Sequence, residues 1–280
     1  MQAGSVIGAK ADLIVRIAHG AADIDAAQHL RYRVFYEELS AKPDVIARRT
    51  RRDSDAFDEI CDHLLVVSPG RPDIADPIEV SDGTLVGTYR LLRQSVAEAN
   101  RGFYTQDEFD IAPLIAAKPE LQFLELGRSC VLKPYRTRPV VELLWQGIWN
   151  YVRFHGLDVM LGCASLEGTD PQTHALTLSF LAHFCAAPPE WQVRAQSSRY
   201  VEMKLMPRQE VDPKAALKLL PPLIKGYLRL GCYIGEGAVV DPQFNTVDVL
   251  IVLPVSAINP RYFSHFGARE EARSAQRLMS

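Results

Sequence analysis

The sequence predicts an α/β (α+β) fold, in which a mixed sheet is flanked by helices on both faces. Two observations lead to this prediction. A strand and a helix come first in the chain, several strands follow, and a strand–helix–strand unit comes later. The chain has 280 residues, of which 48% are hydrophobic, which is enough to build a large core.

The first predicted strand is "ADLIVRIA" at residues 11–18, where apolar and polar residues alternate. Apolar residues at helical spacing predict that a helix follows, and Asp23 and Asp25 are candidates to cap its start. Residues 40–62 are polar, charged and without periodicity, so we expect a long loop there. Long loops in compact domains are often functional.

Four further strands are predicted at residues 63–68, 84–92, 122–132 and 157–166. The last two flank a helix whose apolar stripe ends before Gly156, a residue suited to a helix C-cap. That stripe consists of Val141, Leu144, Ile148 and Val152.

The next helix is expected after Thr169, Asp170 and Pro171, a typical helix start. From about residue 206 the apolar runs become short and are broken by Pro and Gly, before a strong strand at 247–253. We therefore expect a domain over residues 1–205 and a C-terminal extension over 206–280 that packs on it.

The amino-acid composition argues against several classes of function. A net charge of −3 argues against nucleic acid as a partner. The five scattered cysteines indicate reduced thiols in the cytoplasm, and the seven histidines lack metal-ligand spacing, so no metal site is expected. No targeting segment or membrane span is evident. The apolar and basic segment 219–230 is either part of the core or a peripheral contact with the inner membrane.

Residues 131–144, "VLKPYRTRPVVELL", run from a strand through a basic turn into a helix. A helix N-terminus attracts phosphate, and Lys133, Arg136 and Arg138 add positive charge there. The turn contains no glycine, although phosphate-binding loops at such places are usually rich in glycine. It is either a phosphate-binding turn or a solvated basic turn.

A carboxylate in the middle of a buried strand is costly, so Glu125 in "LELGRS" is a candidate base or substrate ligand. The alternative is a structural ion pair. Because side chains alternate along a strand, Glu125 and Arg128 are expected on opposite faces unless a bulge intervenes.

The segment "RRDSDAFD" places Asp53, Asp55 and Asp58 after a run of arginines. Spaced carboxylates suit a cationic amino-acid substrate. Alternatively, the segment is a solvated loop without a binding role.

The turn at residues 131–141 resembles the acyl-CoA-binding segment of the GCN5-related N-acyltransferase superfamily, V-x-P-x-Y-R-G-x-G-x-G/A. Val131, Pro134, Tyr135 and Arg136 match this pattern. Thr137, Pro139 and Val141 stand where the pattern prefers glycine or small residues.

Four further motifs, within residues 14–165, resemble the acyl-homoserine-lactone synthases, a branch that uses acyl-carrier protein. The matching residues are Arg31 and Phe35 in R-x-x-x-F, the acidic motif Asp53, Asp55, Phe57 and Asp58, Gly87 and Arg90 in "GTYRLL", and Glu125 and Arg128 in "ELGR". The chain lacks the tryptophan that usually follows the first motif. Its C-terminal part resembles the hemolysin-like acyltransferases, whose best-understood members are the L-ornithine Nα-acyltransferases.

The resemblance implies a GCN5-related N-acyltransferase-like, largely antiparallel sheet and transfer of a 3-hydroxyacyl group from acyl-carrier protein to the α-amine of ornithine, giving lyso-ornithine lipid. No bound cofactor is implied, because the acyl-phosphopantetheine of the carrier protein is the donor substrate. Alternatives are an acyl-homoserine-lactone synthase, an N-acyltransferase for another amino acid, or a non-catalytic sensor of acyl-carrier protein.

The resemblance also implies roles for single residues. Glu125 is the implied base or amine-orienting carboxylate, and Arg128 is expected to fix the strand and loop. The substrate-binding set is Arg31, Phe35, Asp53, Asp55, Asp58 and Arg90. Backbone donors for the oxyanion and pantetheine are placed at Cys130, Val131 and Leu132. Lys133, Arg136 and Arg138 are expected to meet the phosphopantetheine or the carrier protein.

Overall fold

The computed structural model describes residues 3–70, 74 and 76–258. Within these residues, eleven strands form one sheet. The strands are β1 (Val6–Lys10), β2 (Leu13–Ile17), β3 (Asp62–Ser68), β4 (Glu79–Val80), β5 (Gly83–Arg93), β6 (Phe109–Asp110), β7 (Phe123–Val131), β8 (Val159–Glu167), β9 (Arg194–Ala195), β10 (Tyr233–Asp241) and β11 (Thr246–Pro254).

The strand order is β1-β2-β3-β5-β7-β8-β11-β10-β9-β6, and β4 pairs with β5 at the side. Neighbouring strands are antiparallel except for β7 with β8 and β9 with β10. The helices are α1 (Ala21–Tyr32), α2 (Val45–Thr50), α3 (Gln94–Glu98), α4 (Ala112–Ala116), α5 (Arg138–His155), α6 (Ala175–Phe184), α7 (Pro213–Leu219) and α8 (Pro222–Leu230).

Helices cover both faces of the sheet, as the sequence predicts. Leu30 of α1 packs with Leu65 and Leu85 on one face. On the other face, Leu144 and Ile148 of α5 join a larger cluster that also contains the buried residues of α8. The helices α1, α5 and α8 therefore each bury an apolar face in the core.

Several local predictions need correction. Asp23 lies inside α1, whose N-cap is Gly20, and it pairs with the buried Arg16 instead of capping the helix. The predicted loop 40–62 contains α2, which Asp44 caps by accepting a hydrogen bond from Ala47 N. Val141 is exposed, because the buried stripe of α5 runs through Val140 instead.

The predicted first strand is the second strand of a hairpin, since β1 precedes it and pairs with β2. The other predicted strands are confirmed to within two residues. Gly156 ends α5 in the left-handed conformation, as expected (φ 61°).

The C-terminal part of the described chain belongs to the same sheet. β11 pairs with β8 over nine residues, from Thr246 opposite Glu167 to Pro254 opposite Val159. Strands from both sides of residue 206 therefore share one core, and the division of the chain at that residue stays a prediction. The end of the predicted extension, residues 259–280, lies outside the described residues.

Strands β7 and β8 begin side by side and then part. They pair from Phe123 opposite Val159 to Glu125 opposite Leu161. Beyond this point β7 continues along β5, whereas β8 continues along β11. The resulting gap in the sheet is where the candidate site lies.

Candidate active site

A cavity of about 340 Å³ opens where β7 and β8 part. Its walls come from β5, β7, β8, the end of β10 and the start of β11, together with the segment that follows α1. Four predicted site residues line it: Phe35, Arg90, Glu125 and Arg128. The cavity therefore brings together motifs that are up to 93 residues apart, from residue 35 to residue 128.

Glu125 is buried on β7, and its carboxylate holds the 3₁₀ turn Tyr104–Asp107. It accepts hydrogen bonds from Tyr104 N at 3.0 Å and from Thr105 N at 2.6 Å. Burial raises the pKa of Glu125, while the hydrogen bonds from Thr105 and Tyr104 act in the opposite direction. A carboxylate with a raised pKa in a cavity is suited to exchange protons with a substrate.

A β-bulge brings Arg128 to the same side as Glu125. The register between β5 and β7 shifts after Thr88, and Arg128 adopts a left-handed backbone conformation (φ 50°). Its guanidinium carbon lies 4.7 Å from the centre of the Tyr104 ring and 4.6 Å from that of Phe244. Regular alternation along the strand would place Glu125 and Arg128 on opposite faces. The bulge interrupts that alternation, so the two side chains lie on the same side.

The acidic motif forms a closed ring of buried ion pairs with three arginines. The separations of the paired atoms range from 2.6 to 3.3 Å. Arginine and aspartate alternate around the ring in the order Arg31, Asp53, Arg128, Asp55, Arg90, Asp58 and back to Arg31.

This ring balances three negative charges with three positive charges. Burial alone would raise the pKa of Asp58, but Arg31 and Arg90 lower it below its ordinary value, and Arg90 and Arg128 do the same for Asp55. Arg31 has 1% of its surface exposed and lies behind the aspartates. Whether the acidic motif also contacts a substrate amine stays a prediction, since its carboxylates already have cationic partners.

Three more carboxylates, which sequence analysis did not single out, lie beside the cavity. Oxygens of Glu108, Asp241 and Asp248 lie within 4.8 Å of one another, and all three residues are buried. Asp241 and Asp248 line the cavity. Asp248 sits in the apolar strand "TVDVLIVLP", so a carboxylate in a buried strand, the pattern that marked Glu125, is also the signal for Asp248.

The basic turn lies at the surface, and its three cations are not among the residues that line the cavity. Lys133 belongs to a 3₁₀ turn, Lys133–Tyr135, and is exposed. Arg136 pairs with Glu38 at 2.5 Å, and Arg138 pairs with Glu142 at 2.6 Å at the start of α5. Two of the three cations thus have acidic neighbours, although exposed pairs of this kind are weak.

The predicted backbone donors differ in availability. Leu132 N donates to Val86 O at 2.9 Å, so this N–H is occupied and does not serve an oxyanion. Cys130 lies opposite Thr88 in the ladder, and N–H groups alternate sides along a strand. The N–H of Val131 therefore points away from β5, toward the side on which β8 departs.

Comparisons with known proteins identify the family. The acetyltransferase (GNAT) domain model matches residues 30–146. The chain is 53% identical over 260 residues to the L-ornithine N(alpha)-acyltransferase of Agrobacterium fabrum (strain C58), covering 92% of this chain and 86% of that protein. It is 52% identical over 266 residues to the enzyme of the same name from Rhizobium meliloti (strain 1021), covering 95% and 88%. The chain belongs to the L-ornithine N(alpha)-acyltransferase family.

Membership of the L-ornithine N(alpha)-acyltransferase family confirms the predicted resemblance and makes the chain an acyltransferase. The GNAT-like, largely antiparallel sheet is confirmed as well. Among solved structures, an N-acyl amino acid synthase from uncultured soil microbes is 12% identical, with a TM-score of 0.46 over 87% of this chain and 91% of the other. In the described part of the chain, no helix is long and apolar enough to cross a membrane.

Proposed function

We propose that this chain transfers a 3-hydroxyacyl group from acyl-carrier protein to the α-amine of L-ornithine, with lyso-ornithine lipid as the product. Curated relatives that cover more than nine-tenths of the chain carry the name of an ornithine Nα-acyltransferase. The observation that carries the proposal is a buried carboxylate, Glu125, in a cavity where two parallel strands part.

The chemistry is aminolysis of a thioester, in which the amide C–N bond forms, the C–S bond breaks and the phosphopantetheine thiol leaves with a proton. This chemistry sets two requirements. The attacking amine must be neutral, so a base removes its proton directly or through a water molecule, and Glu125 is the proposed base. The oxyanion of the tetrahedral intermediate needs a donor already in place. The N–H of Val131 fits that role better than that of Leu132, which is occupied by Val86 O.

The proposed donor is acyl-carrier protein, because the basic turn carries positive charge but has no glycines that would let its backbone approach a diphosphate closely. A diphosphate such as that of coenzyme A is usually held by several backbone N–H groups at close approach, which glycines permit. The carrier protein brings one phosphate on an acidic surface. Lys133 and the weakly paired Arg136 and Arg138 are exposed and match that surface in charge.

The test measures transfer from 3-hydroxyacyl carrier protein and from the matching acyl-CoA to ornithine, at rising salt. We expect the carrier-protein reaction to be faster and to fall steeply with salt, because opposite charges steer the encounter. A Lys133→Ala/Arg138→Ala variant is expected to lower kcat/KM for the carrier protein about tenfold or more. Lys214→Ala, on the exposed first turn of α7, is the control.

Equal rates with both donors at every salt concentration would contradict the choice of donor. Failure of the wild-type protein to acylate ornithine with either donor would contradict the proposed function itself.

We also propose a peripheral contact with the inner membrane, at a different place from the segment 219–230. Leu220, Ile224, Tyr227 and Leu230 of that segment are buried, so the apolar face of α8 belongs to the core, and only Leu219, which precedes this helix, is mostly exposed among the large apolar residues of the segment. On α2, in contrast, Val45 and Ile46 are 83% and 59% exposed.

Two exposed arginines, Arg48 and Arg49, lie on the same short helix as Val45 and Ile46. Apolar side chains beside cations suit an anionic bilayer surface. Sedimentation with vesicles of anionic phospholipid tests the contact, which Val45→Ser/Ile46→Ser is expected to weaken. Equal sedimentation of both proteins would refute it.

A further inference from the structure

The three carboxylates Glu108, Asp241 and Asp248 lie close together in a cluster, and the positive charge near them does not balance their negative charge. Glu108 and Asp248 are only 3% and 6% exposed. Within the described residues, Glu108 Oε2 and Asp248 Oδ1 have no hydrogen-bond partner. Buried carboxylate oxygens without partners are costly, so their presence beside a cavity calls for a ligand.

The charges around this cluster differ from those around the acidic motif. Arg199 approaches the other oxygen of Glu108 at 3.4 Å. Arg128 also faces Asp248, but its guanidinium pairs with Asp53 and Asp55. Burial, together with the neighbouring carboxylates, raises the pKa of Glu108 and that of Asp248, while hydrogen bonds from Cys163 to Glu108 and from Ser165 and Thr246 to Asp248 act in the opposite direction. A bound cation would supply the missing charge.

One member of the cluster already has a structural role. Asp241 Oδ1 accepts hydrogen bonds from Gln243 N at 2.7 Å and from Phe244 N at 3.0 Å, which fixes the turn between β10 and β11. Asp241 Oδ1 is therefore engaged, whereas Glu108 and Asp248 each have one buried oxygen without a hydrogen-bond partner.

The cluster is connected to the proposed base by a single turn of chain. Glu125 holds Thr105 N, and Glu108 N donates to Thr105 O at 3.1 Å. One 3₁₀ turn advances the chain by about 6 Å. The two amines of a diamino acid such as ornithine are separated by four carbon atoms, and that extended spacing is similar to one such turn.

We propose that Glu108 and Asp248, supported by Asp241, bind the side-chain ammonium of a diamino-acid acceptor and so determine its specificity. This inference rests on the proposed function, because it assigns the second amine of the same substrate. An ammonium group offers three N–H donors, which suits several acceptor oxygens converging from different strands. The α-amine is then left for Glu125.

The experiment compares L-ornithine with L-norvaline, the same chain without its terminal amine, as acceptors for the wild-type protein, Asp248→Asn and Glu108→Gln. For the wild-type protein we expect kcat/KM to favour ornithine. In each variant that preference is expected to fall about tenfold or more, since charged hydrogen bonds are lost. Asp110→Asn removes an exposed carboxylate from the neighbouring strand β6 and is the control. Circular dichroism melting verifies that each variant folds.

Binding is measured separately as the rise in Tm on adding ornithine or norvaline without donor. We expect ornithine to stabilise the wild-type protein more than norvaline, and Asp248→Asn to remove the difference. Unchanged preference in both folded variants would overturn the inference while leaving the proposed function intact. No acyl transfer to ornithine by the wild-type protein would overturn the proposed function. The Tm comparison would then still test whether the cluster binds the side-chain ammonium.

Magnesium or calcium chloride, added without amino acid, tests a rival ligand because three carboxylates also suit a divalent cation. A rise in wild-type Tm that Asp248→Asn abolishes, together with loss of acyl transfer in chelator, would assign the cluster to a metal and overturn the inference. No such rise is the expected result.

Discussion

Glu125 and Asp58 are both buried carboxylates, yet their surroundings shift their pKa values in opposite directions. Asp58 faces Arg31 and Arg90, which lower its pKa. Burial raises the pKa of Glu125 and outweighs both the hydrogen bonds from Thr105 and Tyr104 and the weaker influence of Arg90. The first arrangement keeps a charge in place, whereas the second suits a group that gains and loses a proton.

Glu125→Gln is expected to lower kcat for acyl transfer about a hundredfold or more, because the amide does not accept the proton of the attacking amine. The measurement is kcat against pH for ornithine. A base produces an acid limb, in which the rate falls as Glu125 is protonated, and that limb is expected to vanish in the variant.

Glu125→Asp is the matched control for the role of Glu125 in holding the 3₁₀ turn, since it keeps a carboxylate in place of an amide. We expect it to retain an acid limb with a lower rate. Full activity of Glu125→Gln would remove Glu125 from the role of base.

Some residues of the candidate site could be predicted from the sequence, and others could not. Glu125 could be singled out because a carboxylate interrupts an apolar strand. The bulge at Arg128 could not, since it needs a left-handed arginine that local preferences disfavour. The ring of ion pairs and the cluster around Glu108 were equally out of reach, because distant segments meet only when the sheet forms.

At the scale of elements, the candidate site depends on the parting of β7 and β8. Gly162 lies directly after the last paired residue of β8, and a Cβ built on it would lie 2.2 Å from Leu126 O. Its φ of 157° adds a second reason for glycine. The close approach of the two backbones therefore occurs just where the strands begin to separate.

Gly162→Ala is expected to destabilise the fold by about 1–3 kcal/mol, because the carbonyl of Leu126 must move. Since Leu126 follows Glu125 directly, we also expect kcat/KM to fall about tenfold or more. Denaturant unfolding and acyl-transfer kinetics measure the two effects.

Gly156→Ala is the control for that variant. It replaces a left-handed glycine at the end of α5, where a Cβ would meet nothing within 4 Å. Its cost is expected to be about 1 kcal/mol with kcat/KM unchanged. An equal loss of activity in both variants would refute a specific role for the approach of Gly162 to Leu126.

At the scale of the whole molecule, the order of strands and helices was predictable because long apolar runs mark them. The first hairpin strand and the short helix α2 were not predicted, since each is only five or six residues long and largely exposed on one side. The nine-residue strand β10 was not predicted either, because Gly235 and Gly237 interrupt its apolar run. The sequence also did not predict which apolar segments face water. The apolar face of α8 is buried in the core, whereas α2 exposes Val45 and Ile46.

In the unliganded protein, Glu108 and Asp248 are expected to contribute less stability as pH rises from about 5 to 7.5, whereas His29, His63 and His155, whose pKa values are lowered by burial, act in the opposite direction up to about pH 6.5. The pKa of Glu108 is raised from 4.5 to about 7, and that of Asp248 from 3.8 to about 6, by burial among carboxylates. Between the unfolded and folded pKa values the folded state binds more protons than the unfolded state. The stability that these two carboxylates contribute therefore falls as pH rises through this window. Asp23, Asp55 and Asp58, whose pKa values are lowered, lose their contribution only at more acid pH.

Glu108→Gln removes one of these protons, so the change in its Tm from pH 5 to pH 7.5 is expected to be less negative, or more positive, than that of the wild-type protein, in which the histidines titrate equally. The difference is on the order of 1 kcal/mol or more, which corresponds to a few degrees in a chain of this size. Asp110→Asn is expected to follow the wild-type curve. Calorimetric melting at both pH values measures the effect, and parallel curves for the wild-type protein and Glu108→Gln would show that the cluster does not titrate in this window. Saturating ornithine is expected to flatten the wild-type curve, because a bound ammonium favours the ionised carboxylates.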